Sequence, residues 1–203
     1  MSYLCNIHKA TSEQLVALKA YAKNFDVPII LDETSRFLSQ LIRLRNIKNI
    51  LEIGTAIGYN ALNIAVEFPH IKITTIERDS TMIDIAKRNF NASDAHENIT
   101  LIEGDALEVD IQTIDEVDMI FIDAAKAQHI KFFEKYEVLL SSKGIILVDN
   151  VLFHNVSYEN IKSRNLKQLI RKVDAFNQYI MNREDYHSVI HPIGDGVCLS
   201  IKK

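Results

Sequence analysis

The hydrophobic positions of the chain alternate between short apolar runs and longer segments with helical spacing. The apolar runs are rich in Ile and Val and occupy residues 48–54, 72–78, 99–105, 117–123 and 144–150. Runs of this length are typical of strands that are buried on both faces, as in a parallel sheet. The segments between them, at residues 58–68, 80–91 and 126–140, are predicted to be crossover helices. This alternation predicts an α/β fold with a Rossmann-like, doubly wound sheet of five parallel strands.

The two ends of the chain depart from this alternation. Residues 12–23 and 32–44 are predicted helices, and Pro28 separates them because proline lacks an amide hydrogen and restricts the residue before it. A polar helix is predicted at about 160–181, and two strands at 186–193 and 197–202, joined by the turn Gly194-Asp195-Gly196. We therefore expect one domain over residues 1–203. Its helical cap (1–45) precedes a core (46–203), in which an antiparallel C-terminal hairpin brings the sheet to seven strands.

Composition narrows the class of protein without indicating a function. The 203 residues carry a net charge of −4 and are 47% hydrophobic, which excludes collagen-like, disordered and small disulfide-scaffold chains. Cys5 and Cys198 form neither a disulfide framework nor a metal motif, and two reduced thiols favour a cytoplasmic protein. We expect no signal peptide and no membrane partner, because no stretch approaches the ~20 apolar residues that a membrane helix needs.

A local basic stretch contrasts with the mild negative net charge. It comprises Lys162, Arg164, Lys167, Arg171 and Lys172 on the last predicted helix. Such a stretch is most simply a solvated helix face, and contact with a nucleic acid is the alternative interpretation.

Polar residues follow the first three predicted strands, where an α/β sheet binds its ligands. Gly54 and Gly58 flank a turn into a helix, although the spacing is not the GxGxxG dinucleotide fingerprint and chain reversal alone explains it equally well. Glu77 lies 23 residues beyond Gly54, close to the ~20 at which an acidic residue reaches a ribose hydroxyl. Asp105 could face an adenine amino group or cap the following helix. Gly54 and Glu77 together favour a cofactor that contains a nucleoside.

Oxygen donors follow the fourth and fifth predicted strands. Asp123 ends the fourth, and Asp149 and Asn150 end the fifth, a donor set suited to Mg²⁺ or Ca²⁺ and less suited to zinc. The alternative is that both aspartates are ordinary loop residues. Lys126 lies three residues beyond Asp123, where a bound dication would lower the pKa of its ammonium toward that of a general base. A plain ion pair with Asp123 is the competing interpretation.

Several motifs together resemble a known family. LEIGTAIGYNALNIA, TTIERD, EGDA, DMIFIDAAK, GIILVDNVLFH and HPIGDGVCLS are similar to segments of the metal-dependent O-methyltransferases, the catechol and caffeoyl-CoA group of class I enzymes. The resemblance runs from about Val27 to the C-terminus. Within the family it is greatest to short bacterial members, some of which methylate 5-hydroxyuridine in tRNA.

The resemblance implies a cofactor, a metal and a role for each matching residue. It implies S-adenosylmethionine as the methyl donor, Mg²⁺ as the usual metal with Mn²⁺ or Ca²⁺ as alternatives, and a homodimer. The implied cofactor-binding residues are Ile30, Glu52, Gly54, Gly58, Asn60, Glu77, Asp105, Ala106 and Asp123. The implied metal ligands are Asp123, Asp149 and Asn150, and Lys126 and Asp123 match the catalytic positions.

These observations predict an O-methyltransferase that acts on an acidic hydroxyl beside a second chelating oxygen. The similarity to short bacterial members favours 5-hydroxyuridine in tRNA, and a small catechol or other phenol is the alternative acceptor. Two alternative interpretations assign the chain to other functional classes of protein: an NAD-dependent oxidoreductase and a non-catalytic nucleoside-binding module. The absence of GxGxxG and the Asp-Asn pair after the fifth strand argue against the oxidoreductase.

Overall fold

A seven-stranded sheet forms the centre of the molecule in a computed structural model that describes residues 12–152 and 163–203. The strands are β1 (Asn49–Ile53), β2 (Lys72–Glu77), β3 (Ile99–Glu103), β4 (Val117–Ile122), β5 (Leu140–Val148), β6 (Tyr186–His191) and β7 (Val197–Lys202). Their order is β3-β2-β1-β4-β5-β7-β6. The first five strands are parallel, and β7 is antiparallel to both β5 and β6. This arrangement confirms the predicted Rossmann-like sheet and its C-terminal hairpin.

Six α-helices belong to the described residues. They are α1 (Glu13–Asn24), α2 (Asp32–Arg45), α3 (Tyr59–Glu67), α4 (Ser80–Asn91), α5 (His129–Tyr136) and α6 (Arg164–Met181). Helix α6 is the polar helix predicted at about 160–181, and residues 160–162 of that prediction, with Lys162 of the basic stretch, lie outside the described residues, as does Cys5. None of the described helices is both long and apolar enough to cross a membrane.

Two predicted boundaries were wrong. The helix predicted at 126–140 is a 3-10 turn (Lys126–Gln128), then α5, then a second 3-10 turn (Glu137–Leu139). The first of the two breaks lies at Gln128, which leaves helical geometry at φ −117° and ψ 5°. Strand β5 begins at Leu140 rather than at Gly144, since Leu140 pairs with Val117 across a register shift. The polar residues between Leu140 and Gly144 hid this part of the strand from the apolar pattern.

The central strands are buried on both faces, as their continuous apolar runs predicted. Side chains of successive strand residues point to opposite faces, so Met119 and Phe121 of β4 join one hydrophobic cluster and Ile120 and Ile122 join the other. Helices α1 to α4 supply the first cluster, and α5 and α6 supply the second. The sheet therefore separates two hydrophobic cores and holds its strand ends rigidly.

The two N-terminal helices pack against the first core. An ion pair between Lys19 and Asp32 joins α1 to α2, and the Lys19 ammonium lies 5.7 Å from the ring centroid of Tyr59 in α3. Residues 27–31, between the two helices, reach a cavity at the carboxyl ends of the parallel strands. The cap thus contributes one wall of that cavity.

Candidate active site

A cavity of about 680 Å³ lies at the carboxyl ends of the parallel strands, where open α/β sheets bind ligands. The loops after β1 to β5 line it, together with residues 27–31 and the turn before β7. All the predicted site residues except Gly58 line this cavity: Ile30, Glu52, Gly54, Asn60, Glu77, Asp105, Ala106, Asp123, Lys126, Asp149 and Asn150. The structure therefore brings together the nucleoside side and the oxygen-donor side of the predicted site.

The loop after β1 depends on glycine at two positions, for different reasons. Gly54 has φ +103°, and a Cβ there would lie 2.2 Å from the backbone oxygen of Asp123. A glycine is therefore required for the ends of β1 and β4 to approach each other. Gly58 begins α3 with φ +81°, and a Cβ there would lie 2.5 Å from the ring of Phe90. Close packing against Phe90 thus explains why position 58 is a glycine. Gly58 is not among the described residues that line the cavity, and its contact with a cofactor stays a prediction.

A buried polar network lies beneath this loop. The carboxylate of Glu52 accepts hydrogen bonds from Asn60 Nδ2 at 2.8 Å and from the hydroxyl of Thr75, which also contacts the hydroxyl of Thr55 at 2.6 Å. Burial raises the pKa of Glu52 to about 7, although both hydrogen bonds lower it. Asn60 Oδ1 is buried and has no hydrogen-bond partner. Such an acceptor in a cavity wall fits a ligand that carries a hydrogen-bond donor.

Glu77, at the end of β2, organises the neighbouring backbone. Its Oε2 accepts a hydrogen bond from the amide of Ala56 at 2.9 Å, and its Oε1 accepts from the amides of Arg78 and Asp79. Asp79, rather than Glu77, caps helix α4 by accepting a hydrogen bond from the amide of Met82. The Glu77 carboxylate is thus fixed on the cavity wall by three backbone amides, and its contact with a ribose stays a prediction.

Asp105, after β3, combines a structural role with a place in the cavity wall. Its Oδ1 accepts a hydrogen bond from the amide of Leu107 at 2.9 Å, and its Oδ2 accepts one from Arg78 Nη1 at 3.0 Å. The bond from the Leu107 amide, followed by that from Arg78, lowers the pKa of Asp105. The carboxylate therefore stabilises the local turn and also lines the cavity beside Ala106.

Two carboxylates converge at the ends of β4 and β5. Asp149 is 2% exposed, and its Oδ1 accepts a hydrogen bond from the amide of Asn150 at 2.7 Å. Asn150 itself lies in the left-handed region with φ +63°. Burial raises the pKa of Asp123 to about 7, and repulsion from Asp149 and Glu52 adds to this while Lys126 opposes it. Burial also raises the pKa of Asp149. A buried carboxylate and a half-buried one that repel each other are costly without a cation.

The donor set fits a hard divalent cation. It consists of two carboxylates and one carboxamide, which leaves positions open for water or substrate oxygens. Among residues 12–152 and 163–203, no group of three His, Cys, Asp or Glu side chains is arranged to hold a metal. A metal bound by Asp123 and Asp149 would therefore also need the carboxamide of Asn150 and oxygens from outside the chain as ligands.

Asp195 is a charged residue of the cavity wall that the sequence did not predict as part of the site. It lies in the turn between β6 and β7 and lines the cavity. Its flanking glycines indicated only a turn. An acidic side chain between two glycines in the motif HPIGDGVCLS is the one signal that could have directed attention to it.

Comparison with known proteins gives the family. A family model described as O-methyltransferase matches residues 6–203. A Staphylococcus aureus crystal structure, of a protein named for caffeoyl-CoA O-methyltransferase, is 40% identical over 99% of this chain and 98% of its own, with a TM-score of 0.93. An Arabidopsis thaliana relative named for the same enzyme is 30% identical over 74% of this chain and 63% of its own length. The chain thus spans less than two thirds of that relative.

Two further crystal structures share the fold at lower identity. A methyltransferase from Podospora anserina and an O-methyltransferase from Bacillus cereus have TM-scores of 0.87 and 0.84 at 24% and 22% identity, and both hold S-adenosylhomocysteine. The sheet and its cavity therefore define a Rossmann-like methyltransferase fold. The chain belongs to the O-methyltransferase family, which confirms the family that its motifs predicted.

Proposed function

We propose that this protein transfers a methyl group from S-adenosylmethionine to a hydroxyl that neighbours a second oxygen donor, with Mg²⁺ as the metal. We propose 5-hydroxyuridine in tRNA as the acceptor. One observation carries the proposal: the residues suited to a nucleoside cofactor and the oxygen donors suited to a dication line the same cavity. Methyl transfer needs both groups close together because the donor methyl and the acceptor oxygen react directly.

The residues of the cofactor side fit a molecule with an ammonium group and a ribose. Asn60 Oδ1 is a buried acceptor without a partner, and Glu52 lies beside it. Glu77 is held at the end of β2 with its carboxylate on the cavity wall. S-adenosylhomocysteine in the Podospora anserina and Bacillus cereus proteins supports the same cofactor class for this chain.

The residues of the acceptor side fit the metal. Asp123, Asp149 and Asn150 would hold it, with Mn²⁺ or Ca²⁺ as alternatives of the same donor preference. When bound, Mg²⁺ would lower the pKa of the acceptor hydroxyl and fix the orientation of both acceptor oxygens. A positive charge at this point also offsets the repulsion between Asp123 and Asp149.

Lys126 supplies the proton acceptor in this proposal. It begins the 3-10 turn directly after the loop at Asp123, and it lines the cavity on the side of the oxygen donors. Its amine takes the proton of the acceptor hydroxyl, and the acceptor oxygen forms a bond to the methyl carbon as the carbon–sulfur bond breaks. The products are the methyl ether, S-adenosylhomocysteine and a protonated lysine. Positioning of the two reactants by the rigid strand ends contributes to the rate.

Two acceptor classes meet the same geometric demand. A catechol offers two adjacent hydroxyls, and 5-hydroxyuridine offers a hydroxyl beside a carbonyl. Exposed Arg164 and Lys172 on α6 favour a polyanionic acceptor. Asn177, on the same helix, donates a hydrogen bond to the backbone oxygen of Val151, so α6 is tied to the loop after Asn150. A catechol is the second candidate, because relatives named for catechol and caffeoyl-CoA O-methyltransferase match the chain.

Label transfer from S-adenosylmethionine tests the proposal. Two acceptors are compared in Mg²⁺ and in excess chelator: catechol, and tRNA that bears 5-hydroxyuridine. We expect Mg²⁺-dependent label in the tRNA, and loss of that label in Lys126→Ala. Label in catechol alone would show that the acceptor is a small phenol and not the tRNA. Undiminished label in chelator would show that the reaction does not need the metal.

A further inference from the structure

The turn that carries Asp195 is fixed from two sides. Gly194 has φ +54°, and a Cβ there would lie 2.5 Å from the buried hydroxyl of Thr34 in α2. Gly196 has φ +84°, and a Cβ there would lie 2.4 Å from the side chain of Leu152. Only glycines can bring the turn this close to both neighbours. The backbone of Asp195 is therefore held between the cap and the loop after β5.

Backbone hydrogen bonds connect this turn to the candidate metal ligands. The amide of Leu152 donates to the backbone oxygen of Asp195 at 2.9 Å, and the amide of Val151 donates to that of Gly196 at 3.0 Å. Val151 directly follows Asn150 in the chain. The position of Asp195 is thus coupled to that of the oxygen donors through two residues of paired backbone.

The side chain of Asp195 belongs to the rim of the cavity. It is exposed, it lines the cavity, and its charge repels the carboxylates of Asp123 and Asp149. Asp195 therefore presents a negative hydrogen-bond acceptor beside the place where a chelating acceptor would lie. Neither the donor set for the metal nor the proposed proton transfer uses this carboxylate.

We propose that the carboxylate of Asp195 accepts a hydrogen bond from the ring N–H that neighbours the chelating carbonyl of a 5-hydroxyuracil base, and thereby selects this base over a catechol. This inference rests on the proposed function. In 5-hydroxyuracil the hydroxyl and the carbonyl occupy adjacent ring carbons, and the N–H is the next ring position. A catechol presents a C–H there, which leaves the carboxylate without a donor from the acceptor. A site that pairs a substrate N–H discriminates against analogues that lack it.

The comparison of two acceptors in Asp195 variants tests this inference. The kcat/KM values for tRNA that bears 5-hydroxyuridine and for catechol are measured in wild type, Asp195→Ala and Asp195→Asn, over a series of Mg²⁺ concentrations that reaches saturation. We expect Asp195→Ala to lower the tRNA value relative to the catechol value by roughly 10- to 100-fold, the range of a hydrogen bond to a charged group. Asp195→Asn keeps an acceptor oxygen and should restore part of the preference.

The sign of the effect separates this role from general electrostatics. Removal of a negative charge near the cavity would by itself strengthen the binding of a polyanion. Asp84→Ala is the matched control, because Asp84 is an exposed aspartate on α4 that does not line the cavity. We expect its acceptor preference to equal that of wild type, and we expect both Asp195 variants to keep the wild-type melting temperature.

Four outcomes would overturn the inference. An equal fall of kcat/KM for both acceptors, or no fall of kcat/KM for the tRNA, would show that Asp195 does not recognise the base. A rise in the half-saturating Mg²⁺ concentration by the same factor with both acceptors would assign Asp195 to the hydration shell of the metal. Label in catechol alone by the wild-type protein would show that the proposed acceptor is wrong, and the inference would fall with it. The wild-type rates alone reveal this last case, so the two failures are distinguishable.

Discussion

Among single residues, Glu52 is an ionisable group that the candidate site buries, which makes its charged form less stable. Its carboxyl group is buried and accepts hydrogen bonds from Asn60 and Thr75. Burial nevertheless dominates, so the pKa rises from 4.5 to about 7. An ionised carboxylate here would be stabilised by a cationic group of a bound cofactor. Without the cofactor, the folded protein favours the protonated form of Glu52 below about pH 7.

This residue leads to a pH-dependent prediction. A carboxyl whose pKa is higher in the folded state stabilises the fold below its unfolded pKa of about 4.5, and this contribution is lost as the pH rises through about 7. The whole rise from 4.5 to about 7 corresponds to a loss on the order of 3 kcal/mol. We expect Glu52→Gln to reduce the fall in unfolding free energy between pH 5 and pH 8, measured by chemical denaturation without cofactor. Asp123 titrates in the same window, and Glu52→Gln also removes the repulsion by which Glu52 raises the pKa of Asp123, so the difference between the two curves reports Glu52 together with its coupling to Asp123. Parallel pH curves would contradict the assignment.

At the scale of elements, the sequence pattern was reliable where a strand is buried on both faces. Strands β1, β2 and β4 follow from their apolar runs because each side of the sheet is covered by helices. The pattern failed at the start of β5, where Ser141, Ser142 and Lys143 are polar and only the pairing of Leu140 with Val117 shows the strand. It also failed at Gln128, because a local dihedral change interrupts the helix without any proline or glycine.

Helix α6 carries a prediction at this scale. Arg164 and Lys172 are exposed on a helix that is tied to the loop after Asn150. If α6 binds the phosphates of a tRNA acceptor, the double variant Arg164→Glu/Lys172→Glu should lower tRNA methylation several-fold. The slope of log affinity against log salt concentration should fall by about 1 for each phosphate that the helix no longer neutralises. Turnover of catechol should not change.

Lys72→Glu is the control for the helix prediction. Lys72 is exposed at the amino end of β2, at the end of the sheet opposite the cavity. The reversal of its charge should leave tRNA methylation near the wild-type rate. An equal loss in both variants would indicate that net charge, rather than α6, governs tRNA binding.

At the scale of the whole molecule, the site is assembled from five strand ends, the cap and the C-terminal hairpin. The strand ends were predictable, because parallel strands bring their carboxyl ends to one edge of the sheet and polar residues there stand out against apolar runs. Asp195 was not predictable in this way, since it comes from an antiparallel hairpin. Its place depends on contacts of Gly194 with Thr34 and of Gly196 with Leu152. Such tertiary contacts between distant segments leave no periodic signal in the sequence.

The whole-molecule arrangement also separates the two ligands of the proposed reaction. Most of the residues for the cofactor lie at or just beyond the carboxyl ends of β1 to β3, and the oxygen donors follow β4 and β5, with Asp123 belonging to both groups. A change confined to the end of β5 should therefore impair the metal-dependent step and spare the cofactor. Asp149 is the residue at which this separation is sharpest, because it belongs only to the oxygen-donor side.

The division between cofactor side and oxygen-donor side is tested by comparing cofactor binding and Mg²⁺-dependent methyl transfer in wild type, Asp149→Ala and the surface control Asp84→Ala. Calorimetry gives the affinity for S-adenosylhomocysteine, and label transfer gives the turnover with and without chelator. We predict that Asp149→Ala keeps the affinity within about threefold and loses roughly 100-fold or more of the Mg²⁺-dependent turnover, while Asp84→Ala changes neither. Full turnover in Asp149→Ala, or wild-type turnover that resists the chelator, would contradict the account.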